Sequence, residues 1–354
     1  MASGEAGAQA VGFRDVAFAV DGETLVAALW YPTGAAPGRT ALGPISMAAT
    51  RDAPLGAGRY GLVLISHGTG GGRLNHRGTA IRLARAGYVA VAPEHAGDSW
   101  RDGRYGGRSA NWHRRPRQLG AALDRVLGDA GFGPRIDRRR IGALGHSAGG
   151  YSVLALAGAR ADLAVLARHC TRRRDRDPAF CAYGRQDGPA GGALPDLSDR
   201  RVGAVAAVAP VGALFGAGAF AGVTVPVEIH RLGRDRVLRR PFHGDNIARL
   251  MGNRARLAVH PGAHHFAFIA PFPAALVAGV GAPARDPPGF DRRAFLSRID
   301  RQIVDFFDRA LPGRRSRSVD RPARFPFPGR YPRMAAHSRR TPCGSPPWPN
   351  APVS

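Results

Sequence analysis

A serine with the surroundings of a nucleophile occurs in the pattern G-x-S-x-G, as Gly145-His146-Ser147-Ala148-Gly149. The pattern lies between an apolar strand predicted over residues 141–144 and an Ala- and Leu-rich helix predicted over residues 148–159. A serine on such a tight strand-to-helix turn adopts a strained backbone, and small flanking residues let neighbouring chain pass close by. The turn holds the hydroxyl beside a helix N-terminus, where negative charge is favoured. The competing interpretation is an ordinary Gly-rich turn.

A serine hydroxyl is a poor nucleophile until a base removes its proton, and the histidine pair His264-His265 supplies two candidates. Both histidines follow the last predicted strand, residues 256–260, and parallel sheets place their sites at the carboxyl ends of strands. We favour His265, because it precedes the apolar run 266–268 that would anchor it. His264 remains the alternative.

The base in turn needs an acid that fixes its tautomer and stabilises the imidazolium. Asp235 follows a predicted strand over residues 225–230 and gives the chain order Ser, Asp, His. Two other acids compete for this role: Asp245, which we expect within the following helix, and Glu228, which we expect inside the strand. An ordinary turn acid paired with an arginine is the simpler interpretation of Asp235.

Attack by a serine on a carbonyl creates an oxyanion, which needs preorganised hydrogen-bond donors. The run Ser66-His67-Gly68-Thr69-Gly70-Gly71-Gly72 follows another predicted strand, and its glycines leave backbone N–H groups unobstructed. The N–H groups of Thr69 and Ala148 are the expected pair of donors. A phosphate-binding interpretation of the run is weak, because the P-loop pattern and its lysine are missing.

We expect neither a metal nor a cofactor. The histidines nearest the glycine run, His67, His76 and His95, fall on different predicted loops and have no metal-ligand spacing. Nucleophilic chemistry at a serine needs no metal.

The elements that must position these residues begin with a hairpin, in which Asp21-Gly22 separates apolar runs at 16–20 and 24–30. From about residue 60 strands alternate with helices, which predicts an α/β fold with a mostly parallel central sheet covered by helices on both faces. The further predicted strands cover residues 61–66, 88–93, 141–144, 202–209, 225–230 and 256–260, and the predicted helices cover residues 75–86, 116–129, 148–159 and 290–311.

The predicted domain organisation has three parts: a flexible N-terminus over residues 1–11, a catalytic domain over residues 12–312, and a basic, Pro- and Arg-rich disordered tail over residues 313–354. An irregular stretch at 160–200 interrupts the alternation of strands and helices. Its length predicts either a lid over the site or a disordered excursion.

The charge of the chain is unusual, with a formal net charge of +25. All 51 basic residues are arginine, and lysine is absent. This bias is typical of GC-rich coding, whereas a nucleic-acid footprint would cluster its basic residues and interleave them with aromatic ones. We therefore expect no nucleic-acid partner and a small-molecule substrate; the oligomeric state is left open.

A membrane span is conceivable only at residues 202–227, which carry no charge. Pro210 and Pro226 lie within this stretch, and its apolar runs have strand length, so two buried strands explain it better than a stable span. Residues 1–10 have no export signal, which predicts a cytoplasmic protein unless the start site is misassigned. A disulfide between Cys170 and Cys181 and two free thiols are equally compatible with the sequence.

As a set, these motifs resemble the α/β-hydrolase superfamily, and more narrowly its predicted dienelactone hydrolase and platelet-activating-factor-acetylhydrolase-like branch. The resemblance extends over roughly residues 12–310 and is carried by the runs at 62–72, 87–95, 136–150 and 262–268 and by Trp30-Tyr31-Pro32. It implies a serine carboxylic-ester hydrolase with Ser147, Asp235 and His265 as its triad. Dienelactone hydrolases proper use cysteine as nucleophile, so their activity is not implied.

Ester hydrolysis through an acyl-enzyme is therefore the predicted function. An amidase or peptidase would share the machinery and differ only in its pocket. From a different class, a basic binding protein with a vestigial hydrolase fold is the third possibility, and it predicts salt-dependent retention on an anionic surface.

Overall fold

The computed structural model describes residues 9–183 and 191–313. Most of the predicted flexible N-terminus, part of the 160–200 insertion and nearly all of the predicted basic tail lie outside the described residues. The described residues all belong to one unit of the chain.

The central sheet has nine strands in the order β11-β10-β9-β8-β6-β7-β2-β1-β5. The pairs β1–β2 and β2–β7 are antiparallel, and all other neighbours in this sheet are parallel. A small antiparallel pair, β3–β4, lies outside it. The strands are β1 (Val11–Val20), β2 (Glu23–Pro32), β3 (Thr40–Leu42), β4 (Ile45–Met47), β5 (Thr50–Arg51), β6 (Tyr60–Ser66), β7 (Tyr88–Pro93), β8 (Ile136–His146), β9 (Ala204–Val208), β10 (Val227–Leu232) and β11 (Ala255–His260).

Helices cover both faces of this sheet, which is why β6, β7 and β9 are buried at every position. In β6, Leu62 and Leu64 pack into the core cluster that includes α2 and α3, whereas Val63 and Ile65 pack into the cluster that includes α1 and α8. The helices are α1 (Arg77–Arg85), α2 (Ser109–Leu127), α3 (Ala148–Leu156), α4 (Leu163–Arg173), α5 (Pro178–Tyr183), α6 (Gly244–Met251), α7 (Ala274–Val280) and α8 (Arg292–Ala310), with single 3₁₀ turns at Gly133–Arg135, Gly252–Arg254, His265–Phe268 and Ala282–Ala284.

The predicted fold class is confirmed, and the main differences concern where elements begin. The hairpin turn forms at Asp21-Gly22, where both residues have positive φ, as a tight two-residue hairpin turn requires. Helix α2 begins at Ser109, seven residues before the predicted start, so Pro116 lies inside the helix. Strand β8 begins at Ile136 rather than at residue 141, and the exposed arginines within it hide its first half from an apolar pattern.

The uncharged stretch 202–227 contains β9 and leads into β10, as expected for two buried strands. No helix within the described ranges has the length and apolar character needed to cross a membrane.

The insertion contains helices α4 and α5, which the sequence did not reveal, and Cys170 in α4 forms a disulfide with Cys181 in α5. The buried carboxylate of Asp177 accepts hydrogen bonds from His169 Nε2 and His243 Nε2, both at 2.8 Å. His243 lies just before α6, so Asp177 connects the insertion to the rest of the domain. The lid prediction itself stays a prediction.

Asp177 should make the stability of the protein depend on pH. Burial opposes ionisation, but the hydrogen bonds from His169 and His243 prevail and lower the pKa of Asp177 to about 2. Because the folded-state pKa is depressed, the carboxylate stabilises the fold above pH 4 by about 2 kcal/mol, and this contribution is lost as the pH falls from about 4 to about 2.

Urea unfolding of the wild type and Asp177→Asn should therefore differ in free energy at pH 7, and the difference should shrink below pH 4. Asp175→Asn, an exposed acid of the same insertion, serves as control and should change the free energy by less than about 0.5 kcal/mol. A wild-type-to-Asp177→Asn difference that stays constant down to pH 2 would contradict the assignment.

Candidate active site

Ser147 lies on the turn between β8 and α3 with φ 56° and ψ −117°, a left-handed conformation that a non-glycine residue adopts only when the surroundings enforce it. Its N–H donates to Val208 O at 3.0 Å, and its carbonyl accepts from Val211 N at 3.1 Å. A Cβ at Gly145 would lie 2.1 Å from Gly149 O, and one at Gly149 would lie 2.1 Å from Ser66 O. The two glycines of the motif are therefore required by close backbone approaches.

The structure brings His265 and Asp235 into line with this serine. His265 Nε2 lies 3.1 Å from Ser147 Oγ, and His265 Nδ1 lies 2.7 Å from Asp235 Oδ2. Asp235 Oδ1 accepts from the backbone N–H groups of Val237 and Leu238, both at 2.8 Å. All three side chains are nearly buried, Ser147 being 8% exposed. This arrangement can pass a proton from a hydroxyl to an imidazole that a carboxylate orients.

The rival residues lie elsewhere. His264 Nε2 bonds to Asp286 Oδ1 at 2.8 Å, away from Ser147. Asp245 is in α6, as expected, and pairs with Arg231 and Arg240. Glu228 is in β10, also as expected, where it is buried and pairs with His230 and Arg256. These contacts leave Asp235 as the acid on His265.

His146, which precedes Ser147, bonds to the loop that carries His265. His146 Nε2 donates to His265 O at 2.9 Å, and His76 Nδ1 donates to Phe268 O at 3.2 Å, while the His76 ring stacks on the Phe268 ring. Burial lowers the pKa of His146 well below its usual value and lowers that of His76 to about 4, so both stay neutral at pH 7. Together they fix the 3₁₀ turn His265–Phe268.

His146→Ala should therefore lower kcat for ester substrates by about 10- to 100-fold, because a base loop displaced by about 1 Å misaligns the proton transfer. The pH dependence should keep its shape, since His146 itself does not titrate near pH 7. Steady-state kinetics against pH measure both quantities. His264→Ala is the matched control and should remain within about twofold of wild type; a His146→Ala enzyme equally close to wild type would exclude the positioning role.

The glycine run forms a loop, residues 66–72, that we call the oxyanion loop, and it borders the serine. A Cβ at Gly68 would lie 3.3 Å from Ser147 Cβ, so Thr69 follows directly on the point of closest approach. Ala148 is the first residue of α3, where N–H groups have no partner inside the helix. The predicted donors Thr69 N and Ala148 N thus lie on two chain segments that adjoin Ser147.

A buried ion pair, which the sequence did not reveal, supports the oxyanion loop. Asp98 Oδ1 accepts from Gly70 N at 3.2 Å, and Asp98 Oδ2 accepts from Thr69 Oγ1 at 3.3 Å. Arg115 pairs with Asp98 at 2.7 Å and also donates to His67 O; both charged side chains are almost fully buried. These residues are far apart in sequence and match no motif. Their contact with the loop is therefore visible only in the structure.

The histidines of this region serve as neutral hydrogen-bonding groups. His67 Nε2 accepts from His95 N at 3.1 Å, so its Nδ1–H donates to Gly68 O at 2.7 Å. His95 Nδ1 bonds to Gln118 Oε1 at 2.8 Å, and its Nε2 accepts from Ser66 Oγ at 2.9 Å. Burial and the neighbouring Arg115 lower the pKa values of both histidines well below the usual range.

Comparison with known proteins was made at the level of sequence and of structure. No family model matches the sequence, and no curated protein matches it. Among solved structures, a ferulic acid esterase from Streptomyces cinnamoneus matches with a TM-score of 0.62 and 20% identity, over 91% of this chain and 96% of that one. This chain has the α/β-hydrolase fold.

Two further solved structures match. One is a dienelactone hydrolase-like promiscuous phosphotriesterase from metagenomic libraries, with a TM-score of 0.53 and 15% identity, and the other carries the name m3DLH, with a TM-score of 0.53 and 17% identity. Each match covers 86% of this chain and all of the other. The resemblance to dienelactone hydrolase-like proteins that the motifs indicated is confirmed at the level of the fold.

The α/β-hydrolase fold explains why three distant residues meet. Ser147 follows β8, Asp235 follows β10 and His265 follows β11, and these strands are parallel members of one sheet. Their carboxyl ends lie along the same edge, where open α/β sheets carry their sites.

Within residues 9–183 and 191–313, one group of His, Cys, Asp or Glu side chains has the spacing of metal ligands. It consists of His169, Cys170 and Cys181 in the insertion. The disulfide joins its two sulfur atoms, which excludes thiolate ligation in this state.

Proposed function

We propose that the protein is a serine hydrolase that cleaves carboxylic esters through an acyl-enzyme, with Ser147, His265 and Asp235 as its catalytic triad. The observation that carries the proposal is the unbroken line of short contacts from Ser147 Oγ through His265 to Asp235, ending on two backbone N–H groups. Esterase and hydrolase names among proteins of the same fold support it.

In the first half-reaction His265 Nε2 takes the proton of Ser147 while Oγ bonds to the ester carbonyl carbon. The carbonyl π electrons move to oxygen, and the resulting oxyanion accepts hydrogen bonds from Thr69 N and Ala148 N. When the tetrahedral intermediate collapses, the bond to the alkoxy oxygen breaks and His265 delivers the proton to that oxygen. An alcohol leaves, and Ser147 remains acylated.

In the second half-reaction water takes the place of the alcohol. His265 removes a proton from water, the hydroxide oxygen bonds to the acyl carbon, and the same two N–H groups hold the oxyanion. Collapse breaks the bond to Ser147 Oγ, which recovers the proton from His265, and a carboxylic acid is released. Asp235 remains ionised throughout and stabilises the imidazolium in both steps.

The test is covalent labelling of the full chain with a fluorophosphonate probe, followed by peptide mass spectrometry. Phosphonylation should occur at Ser147, should be prevented by prior heating of the protein, and should be lost in Ser147→Ala. Absence of labelling in the native protein contradicts the proposal and favours the basic binding protein. A matched ester and anilide then separate the esterase from an amidase, and we expect faster cleavage of the ester.

A further inference from the structure

Two aromatic side chains are exposed beside the oxyanion loop. Trp100 is 64% exposed and Tyr183 is 47% exposed. Among the described residues two more large apolar side chains are this exposed, Leu257 and Val259, and both belong to the edge strand β11. Exposed aromatic surface that borders a reactive group is typical of a ligand-binding site.

Trp100 rests directly on the oxyanion loop. The backbone N–H of Trp100 donates to Gly71 O at 2.9 Å, and its side chain lies over the next residue, since a Cβ at Gly72 would lie 2.9 Å from the indole Cδ1. The guanidinium of Arg101 lies 4.5 Å from the indole centroid. A cation above an aromatic ring attracts it, so this contact favours an indole that lies beside the loop, while most of its surface remains open.

Tyr183 reaches the same loop from the insertion. Its hydroxyl lies near the Thr69 side chain, and a Cβ at Gly106 would lie 2.6 Å from the hydroxyl oxygen. Tyr183 is the last residue of α5, a helix that is held by the disulfide at Cys181 and, just before its first residue, by the hydrogen bonds of Asp177. The insertion therefore presents an aromatic ring next to the first predicted oxyanion donor.

We propose that Trp100 and Tyr183 form an acyl-group subsite that selects esters of aromatic carboxylic acids; this inference rests on the proposed ester hydrolysis. The base must protonate the leaving oxygen, which puts the alcohol on the side of His265. In the described residues the Trp100 indole lies against Gly72 and the Tyr183 hydroxyl lies near Thr69, both in the oxyanion loop, and no hydrogen bond or ring contact joins either side chain to the His265–Phe268 turn. The substituent that faces them is the acyl group.

Matched esters test this assignment with the carbonyl chemistry held constant. Methyl 3-phenylpropanoate and methyl 3-cyclohexylpropanoate differ only in the ring, which two methylene groups separate from the carbonyl. With the full chain and release of acid followed by pH-stat titration, kcat/KM should be about tenfold higher for the phenyl ester, given the usual gain from two aromatic contacts. 2-Phenylethyl acetate and 2-cyclohexylethyl acetate carry the same rings on the alcohol and should differ by less than about twofold.

Variants then assign the preference to the two residues. Trp100→Leu and Tyr183→Leu keep apolar bulk but remove the ring, and each should lower the phenyl-to-cyclohexyl ratio by about threefold, whereas Tyr183→Phe should keep it. Leu257→Ala, an exposed residue of β11, is the control and should change neither the rates nor the ratio.

The possible failures are distinguishable. A native protein that hydrolyses none of these esters, nor p-nitrophenyl acetate, contradicts the proposed function itself. Hydrolysis of p-nitrophenyl acetate with a phenyl-to-cyclohexyl ratio near one overturns the aromatic subsite alone. A phenyl preference confined to the alcohol-side pair overturns the assignment to the acyl group, and a preference that survives both leucine variants overturns the assignment to Trp100 and Tyr183.

Discussion

Asp235→Asn should lower kcat for ester hydrolysis by about 10⁴-fold while leaving the fold intact. The reason lies in how the carboxylate is held. Asp235 Oδ1 accepts from the N–H groups of Val237 and Leu238, and Oδ2 faces His265 Nδ1. In the asparagine variant the amide oxygen must stay on the two N–H donors, so the NH₂ group faces His265.

An NH₂ group at that position forces His265 into the opposite tautomer. Nδ1 then accepts a hydrogen bond, the ring proton lies on Nε2, and Nε2 can no longer take the proton of Ser147. Substrate binding does not depend on the tautomer, so KM should change far less than kcat. Steady-state kinetics with p-nitrophenyl acetate, together with a thermal unfolding curve, measure both effects.

Asp245→Asn is the matched control, because Asp245 belongs to α6, pairs with the exposed Arg240 and the partly buried Arg231, and has no bond to His265. We expect its kcat to remain within about twofold of wild type, as surface ion pairs contribute little. If Asp235→Asn loses less than about 100-fold in kcat, Asp235 does not control the tautomer of His265. Only Ser147 and His265 would then take part in the proton transfer.

The residues of the candidate triad could be predicted from the sequence because each follows a strand at the same edge of one parallel sheet. Ser147 has a local motif, and Asp235 and His265 come directly after β10 and β11. In such a sheet, residues that follow the carboxyl ends of the strands lie along one edge, where the site forms. Chain order and strand ends therefore carried the prediction, without any knowledge of packing.

The ion pair of Asp98 and Arg115 below the oxyanion loop could not be predicted, because neither residue belongs to a motif and the pair exists only in the folded chain. Asp98 lies in a loop and Arg115 lies in α2, and from the sequence alone each would be taken for an exposed charged residue. The start of α2 was also hidden, since Pro116 resembles the first residue of a helix rather than its eighth. In the insertion, α4 buries only Leu166 and Cys170; the disulfide ties it to α5, and Asp177 bonds to the distant His243.

Breaking the buried ion pair of Asp98 and Arg115 should strongly destabilise the fold. Arg115→Met removes the guanidinium and leaves the Asp98 carboxylate buried with only Asn111, Thr69 and Gly70 as hydrogen-bond donors. A buried charge that loses its partner typically destabilises a fold by about 3–5 kcal/mol. Urea unfolding at pH 7 should show this loss, and kcat should fall as well because the oxyanion loop loses its fixed geometry.

The double variant Arg115→Met, Asp98→Asn separates the cost of the stranded charge from the positioning of the loop. Removal of the carboxylate charge should restore about half of the lost free energy, since the amide oxygen can still accept from Gly70 N and the NH₂ group can donate to Asn111 Oδ1 once that amide flips. The kcat should remain low, because the guanidinium no longer holds His67 O.

Arg117→Met, two residues further along α2 and paired with Asp21 at the surface, is the control and should cost less than about 1 kcal/mol. A single variant Arg115→Met as stable as Arg117→Met would contradict a charged pair under the loop, and full recovery of kcat in the double variant would show that the pair contributes stability without positioning the oxyanion donors.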